Sequence, residues 1–149
     1  MRLEHRFAFA IAAPRTELKN LLFAPERVFA ALPGLEDLAR DGTLFRGRLC
    51  GEAPLFGRVC FPFQSQLRGQ ERAELVPEPL PGETFWAELG GTGEAADDEL
   101  RYRIRLVLHA ELPMGEKWGG RAFRRMVEAA LQRNLTRVLS ALPERVELG

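Results

Sequence analysis

One long helical pattern, placed last in a chain otherwise built of strand-like segments, is the feature that most limits the fold. Between Lys117 and Leu142, the residues Phe123, Met126, Val127, Ala130, Leu131, Asn134, Val138 and Ala141 fall on one arc of a helical wheel. That spacing is the signature of a buried helical face. Gly119 and Gly120 break the pattern at its start, so regular helix is expected from near Arg121, and Pro143 ends it. The segment is roughly 22 residues, or about 33 Å, enough to cross a small domain. Asn134 interrupts the apolar arc near its middle and Arg137 sits on its edge. A polar residue there either bonds a neighbouring side chain or a buried water, or it faces a ligand cavity. Basic residues outnumber acidic ones from Lys117 to Arg137, as on a solvated outer face.

The strands supply the surface such a helix would cover. Leu3, His5, Phe7, Phe9 and Ile11 alternate with Glu4, Arg6, Ala8, Ala10 and Ala12, the period-2 pattern of a half-buried strand. Pro14 ends it. Thr16 can cap a short helix running to Leu22, and Pro25 suits the first turn of a second, Glu26 to Leu32, which Pro33-Gly34 stops. Strands are then expected over Thr43–Cys50, Leu55–Gln64, Gln66–Val76, Thr84–Glu94 and Leu100–Leu112. The last alternates most cleanly. Leu100, Tyr102, Ile104, Leu106 and Leu108 point one way; Arg101, Arg103, Arg105, Val107 and His109 point the other. The acidic spots Glu36-Asp37 and Asp97 to Glu99 read as turns. Strands followed by a closing helix make an α+β architecture: a curved antiparallel sheet of about six or seven strands wrapped on a long C-terminal helix, with two short helices after the first strand.

The chain has 149 residues, which suits one domain over 1–149 with a sizeable core. Its net charge is zero, so it lacks the basic footprint of a nucleic-acid binder. No apolar run approaches the length of a membrane span. Arg2 and Arg6 precede a short apolar stretch, but Glu4 and His5 intrude where a signal peptide would be basic, so a strand and a cytoplasmic protein are expected.

Little catalytic chemistry stands out. Ser65 and Ser140 are the only serines and neither lies in Gly-x-Ser-x-Gly. Gly90-Gly-Thr-Gly93 is followed by acids that would repel phosphate, so it reads as a bulged strand. The two cysteines, Cys50 and Cys60, cannot make a disulfide framework. On a hairpin turning near Glu52 to Pro54 they would be out of register, which leaves free buried thiols as the expectation. Two distant histidines and no Cys-x-x-Cys give no usual metal site, and no cofactor is implied. His5 lies on the apolar side of its strand, where it is either a satisfied histidine or an acid–base group in a cavity. The row Arg101, Arg103, Arg105 is explained by cross-strand pairing with glutamates such as Glu88, or by an acidic partner.

Ile11-Ala-Ala-Pro-Arg-Thr-Glu-Leu, Phe23-Ala-Pro-Glu-Arg-Val and Ala31-Leu-Pro-Gly-Leu-Glu-Asp-Leu38, with the order of elements up to Pro143, carry a family resemblance. The chain resembles the helix-grip fold of the START and polyketide-cyclase superfamily, which includes the major pollen allergens. It is nearest the carbon monoxide dehydrogenase G-subunit branch. Members of that branch can carry a C-terminal membrane anchor; this chain stops at Gly149. The resemblance implies an aromatic-lined cavity, carried here by Phe7, Phe9, Phe61, Phe63, Tyr102, Ile104, Met126 and Leu131, with His5, Asn134 and Arg137 as its polar groups. No catalytic motif transfers.

Three functions fit. The first is non-catalytic binding of a small hydrophobic ligand (lipid, isoprenoid, quinone or aromatic) in that cavity. The second is an interaction or assembly factor resembling the carbon monoxide dehydrogenase branch, with a filled cavity, a protein partner or homo-oligomer, and Trp86 and Trp118 as anchors. The third is a cyclase- or hydratase-type enzyme using Tyr102 and His5 in the same pocket.

Overall fold

The alternating stretches form strands in the computed structural model, which describes residues 1–53, 57–111, 120–140 and 145–146. The order is β1 (Arg2–Ala12), α1 (Arg15–Leu22), α2 (Pro25–Val28), a 3₁₀ turn (Phe29–Ala31), β2 (Leu35–Asp41), β3 (Leu44–Ala53), β4 (Gly57–Arg68), β5 (Ala73–Glu78), β6 (Phe85–Ala96), β7 (Glu99–Ala110), α3 (Gly120–Ser140) and β8 (Arg145–Val146). The sheet runs β2-β3-β4-β5-β6-β7-β1-β8. Its first seven strands pair antiparallel; the two-residue β8 pairs parallel to β1. The sheet curves enough for β4 to touch β6 past the short β5, at Phe63 and Ala87. No helix among the described residues is long and apolar enough to cross a membrane.

Alternation decides which side chains enter the core. On β1 and β7 the opposed pairs Phe7–Ile104, Phe9–Tyr102 and Ile11–Leu100 face inward. Val59, Phe61 and Phe63 of β4 and Phe45 and Leu49 of β3 join them, with Leu18, Leu21, Leu22 and Phe29 from the helical segment. Two glycines of β6 admit this packing. A Cβ on Gly93 would lie 2.5 Å from Tyr102 Cε1, so the tyrosine ring lies over bare backbone. Gly91 has φ of 152° and its Cβ would collide with the Arg103 carbonyl oxygen. Only glycine tolerates such an approach in such a conformation.

Several expectations are corrected. Leu35–Asp41 is a strand, β2, with an irregularity between Glu36 and Ala39 and Asp37 at φ 52°; the acidic pair there masked it. The stretch read as one strand over Gln66–Val76 is the end of β4, a turn and the start of β5. Pro14, not Thr16, precedes the first helical turn, and no side chain caps it. Pro25 does sit in the first turn of α2.

Cys50 and Cys60 are in register. They are opposed across β3 and β4, their Cα atoms 4.1 Å apart, and their sulfurs are bonded. The register runs on to Ala53 opposite Gly57, beyond the turn expected near Glu52 to Pro54, and a shifted register changes which residues face each other. The separation matches a non-hydrogen-bonded cross-strand pair, the closer of the two antiparallel types.

On α3, Arg125, Met126, Ala129, Gln132, Arg133, Thr136, Arg137 and Ser140 are exposed, while Leu139 is buried. Of the expected arc's described side chains, Ala130 is half-buried and Met126 is not covered. Met126, at 57% exposure, and Arg137 lie on the outer side. A wheel marks the average apolar direction, whereas packing follows the surface that the helix meets, here β1 and β3. The side chains of Leu131 and Asn134, and Trp118, lie outside the described residues.

Candidate functional site: the inner face of the sheet

β1 aims His5, Phe7 and Phe9 at the inner face because they are alternate residues. Their rings form a continuous run. His5 stacks on Phe7 at 6.1 Å and Phe7 on Phe9 at 6.0 Å between ring centres. Phe9 then stacks on Tyr102 at 5.3 Å. Phe29 meets both edge-on, at 5.5 Å from each. Phe45, 5.6 Å from Phe29, and then Phe63, 5.4 Å from Phe45, continue the run. Phe61 contacts Phe85 at 5.6 Å. Such offset and edge-to-face pairs each add about 0.5–1.5 kcal/mol beyond burial.

The run is closed at one end and open at the other. Phe9, Phe29, Phe45, Phe61, Phe63, Tyr102 and Ile104 are all buried. Leu3, His5 and Phe7 point to the same face yet stay only half-buried. Tyr102 belongs to the closed end. Its hydroxyl donates to the Leu22 carbonyl at 3.0 Å, at the end of α1 where carbonyls lack helical partners. Burial, and secondarily the charge of Glu26, push its ionisation above the ordinary tyrosine value. Ser65 is likewise committed, donating to the Leu89 carbonyl. Neither hydroxyl is free for chemistry.

Of the expected site residues, the fold gathers Phe7, Phe9, Phe63 and Tyr102 around one aromatic run, with His5 at its open end and Ile104 beside Phe7. Phe61 is inside the same core but faces Phe85. Met126 and Arg137 do not join the set. Phe29 and Phe45 were missed, though both hold the run together. Phe45 alternates with Leu49 on its strand, a usable signal; Phe29 opens the three-residue 3₁₀ turn after a four-residue helix, too short for a period to show.

The outer face is charged. Arg105 Nε donates to Glu4 Oε1 at 2.7 Å and Arg6 Nε to the same oxygen at 3.2 Å. Arg101 pairs with Glu99 at 2.6 Å. Glu88, the partner expected for the arginine row, instead meets His109 at 2.7 Å, and His109 stacks on Trp86 at 4.0 Å. The register puts Glu88 opposite Val107, with His109 and Arg105 two residues to either side on the same face; it bonds the histidine, and its charge also acts on Arg105. A hollow of about 540 Å³ crosses β1, β6 and β7 beside Arg6, Ala8, Arg103 and Arg105. Those four residues alternate outward, and Phe7, Gly91 and Ile104 complete the lining.

The family model described as "Protein of unknown function (DUF3809)" matches residues 6–140. No curated protein matches the chain. Among solved structures it is similar to a protein from Thermus thermophilus, at 21% identity and a TM-score of 0.49 over 93% of this chain and 92% of that one. It is similar to the Zhui aromatase/cyclase from Streptomyces sp. R1128, at 15% identity and 0.47 over 94% and 93%. A START superfamily protein from Mycobacterium smegmatis matches at 12% identity and 0.43 over 90% and 98%. No site residue is carried over from these likenesses.

Proposed function

Taking as premise that the chain belongs to the DUF3809 family, proteins of unknown function, we propose that it binds a small hydrophobic ligand without transforming it. The ligand lies between the inner sheet face and the C-terminal helix, with the sheet wrapped on that helix. The carrying observation is the asymmetry of the aromatic run: sealed at Tyr102, half-open at Phe7 and His5. A core with no ligand to receive gains by covering a phenylalanine, since full burial contributes about 1.5–3 kcal/mol. Phe7, Ile104 and Leu131 supply apolar wall in this reading, and His5 and Asn134 the few polar groups that orient a ligand. A flat or polyunsaturated ligand stacks on Phe7 as His5 does. The engagement of Tyr102 with the Leu22 carbonyl favours binding over acid–base catalysis, because the chain has one tyrosine.

Native mass spectrometry of gently purified protein, with titration by an environment-sensitive hydrophobic dye, tests the proposal. A co-purified apolar ligand, or saturable dye binding displaced by lipids or aromatics, is expected. Phe7→Ala then weakens dye binding by about tenfold, or about 1.4 kcal/mol, with the fold retained. An empty protein that binds no dye overturns the proposal.

A further inference from the structure

Cys50 is buried and Cys60 half-buried, and neither belongs to the core cluster that holds their chain neighbours Leu49, Val59 and Phe61. Since Leu49 and Phe61 face inward, the next residue on each strand faces outward. Glu36 reaches the same place from β2. Its carboxylate oxygen and the two sulfurs all lie within 4.8 Å of one another. Arg58 donates to Oε2 of Glu36, which leaves Oε1 for another partner. A pocket of about 280 Å³ opens over this group, lined by Gly34, Glu36, Cys50, Gly51, Glu52 and Arg58. It is separate from the aromatic run and does not rest on the ligand-binding proposal.

We infer that Cys50, Cys60 and Glu36 form a three-ligand site for a thiophilic divalent cation of the zinc class, available when the cysteines are reduced and closed when they are joined. The chain was expected to hold no metal site because its spacing shows no Cys-x-x-Cys; direct cross-strand pairing brings the thiols together instead. Two thiolates and a carboxylate suit zinc, and the pocket leaves its fourth tetrahedral position to water or to Glu52. With Zn–S bonds of about 2.3 Å, two tetrahedral sulfurs sit about 3.8 Å apart. Directly opposed residues of an antiparallel pair reach that separation by side-chain rotation alone. Charge also balances. Three anionic ligands and a divalent cation leave one negative charge, which the Arg58 guanidinium beside Glu36 neutralises. Opening consumes two small thiols, RSH, by exchange: the Cys50–Cys60 bond breaks, RSSR forms and two protein thiols appear. Cation binding then releases both thiol protons. The same two sulfur atoms serve either the disulfide or, after two-electron reduction, the metal, so occupancy follows the thiol poise of the surroundings.

The test uses the full chain, reduced with a phosphine that is then removed, and titrated with Co²⁺ followed by Zn²⁺. Reduced protein is expected to bind one equivalent of Co²⁺, with thiolate charge-transfer absorption that Zn²⁺ abolishes; oxidised protein binds none. Glu36→Gln, at a half-exposed position that leaves the sheet intact, weakens binding at least about tenfold. The inference is overturned if reduced protein binds no more tightly than oxidised, or if Glu36→Gln equals the unsubstituted chain. Retained affinity in the Cys50→Ser, Cys60→Ser double variant overturns it as well.

Discussion

Replacing Tyr102 by phenylalanine separates a structural role from a catalytic one. The ring stays, so its stacking on Phe9 at 5.3 Å and its edge contact with Phe29 at 5.5 Å are kept. The hydroxyl goes, and with it the 3.0 Å bond to the Leu22 carbonyl. Leu22 and Tyr102 are each 2% exposed, so water does not readily replace the lost donor. A buried acceptor left without its partner costs about 1–3 kcal/mol. Taking about 2 kcal/mol, and about 2–4 °C per kcal/mol for a chain of this size, the melting temperature falls by about 4–8 °C. Urea unfolding followed by circular dichroism measures the difference directly, with an unchanged m-value expected because the same surface is exposed. Dye binding at the Phe7 end is expected to persist. A loss below about 0.5 kcal/mol refutes the argument that this hydroxyl secures α1 to the sheet. Lost dye binding at unchanged stability places Tyr102 in the ligand site instead.

Two further outcomes follow from the charged face and the bend of the sheet. Hydrogen bonds from Arg105, then Arg6, hold the Glu4 carboxyl at about 2 against an ordinary value of 4.5. A carboxylate whose acidity is increased by folding stabilises the fold above its unfolded value, and that contribution is lost as pH falls from about 4.5 towards 2. A carboxyl NMR titration of Glu4 is expected to show the low midpoint, and Glu4→Gln to flatten the fall in stability over that window; a midpoint above about 4 counts against the pairing. Gly91→Ala is expected to destabilise by about 1–3 kcal/mol or more, because the new Cβ meets the Arg103 carbonyl oxygen at a backbone conformation unsuited to alanine. Equal melting curves for the two proteins refute that account.

Much of the inner face is legible in the residue order. Along Leu100–Leu108 and Leu3–Ile11 the direction of each side chain is a local property of extended backbone, so alternation alone put Phe7, Phe9, Tyr102 and Ile104 on one side. β2 was hidden because Glu36 and Asp37 look like turn residues, and an edge strand with an irregular register tolerates them. Phe29 was hidden because its importance lies in what surrounds it, not in any period of its own.

By itself, then, the chain's residue order determined the strand faces, the short α2 starting at Pro25 and the absence of a usual catalytic motif. Tertiary structure alone decided the pairings: Cys50 with Cys60, Glu4 with Arg105, Glu88 with His109, Tyr102 with the Leu22 carbonyl. The physical reason is the same in each case. Which way a residue points follows from its own backbone, but what it meets depends on register, turn position and sheet curvature, set by contacts between residues far apart in the chain.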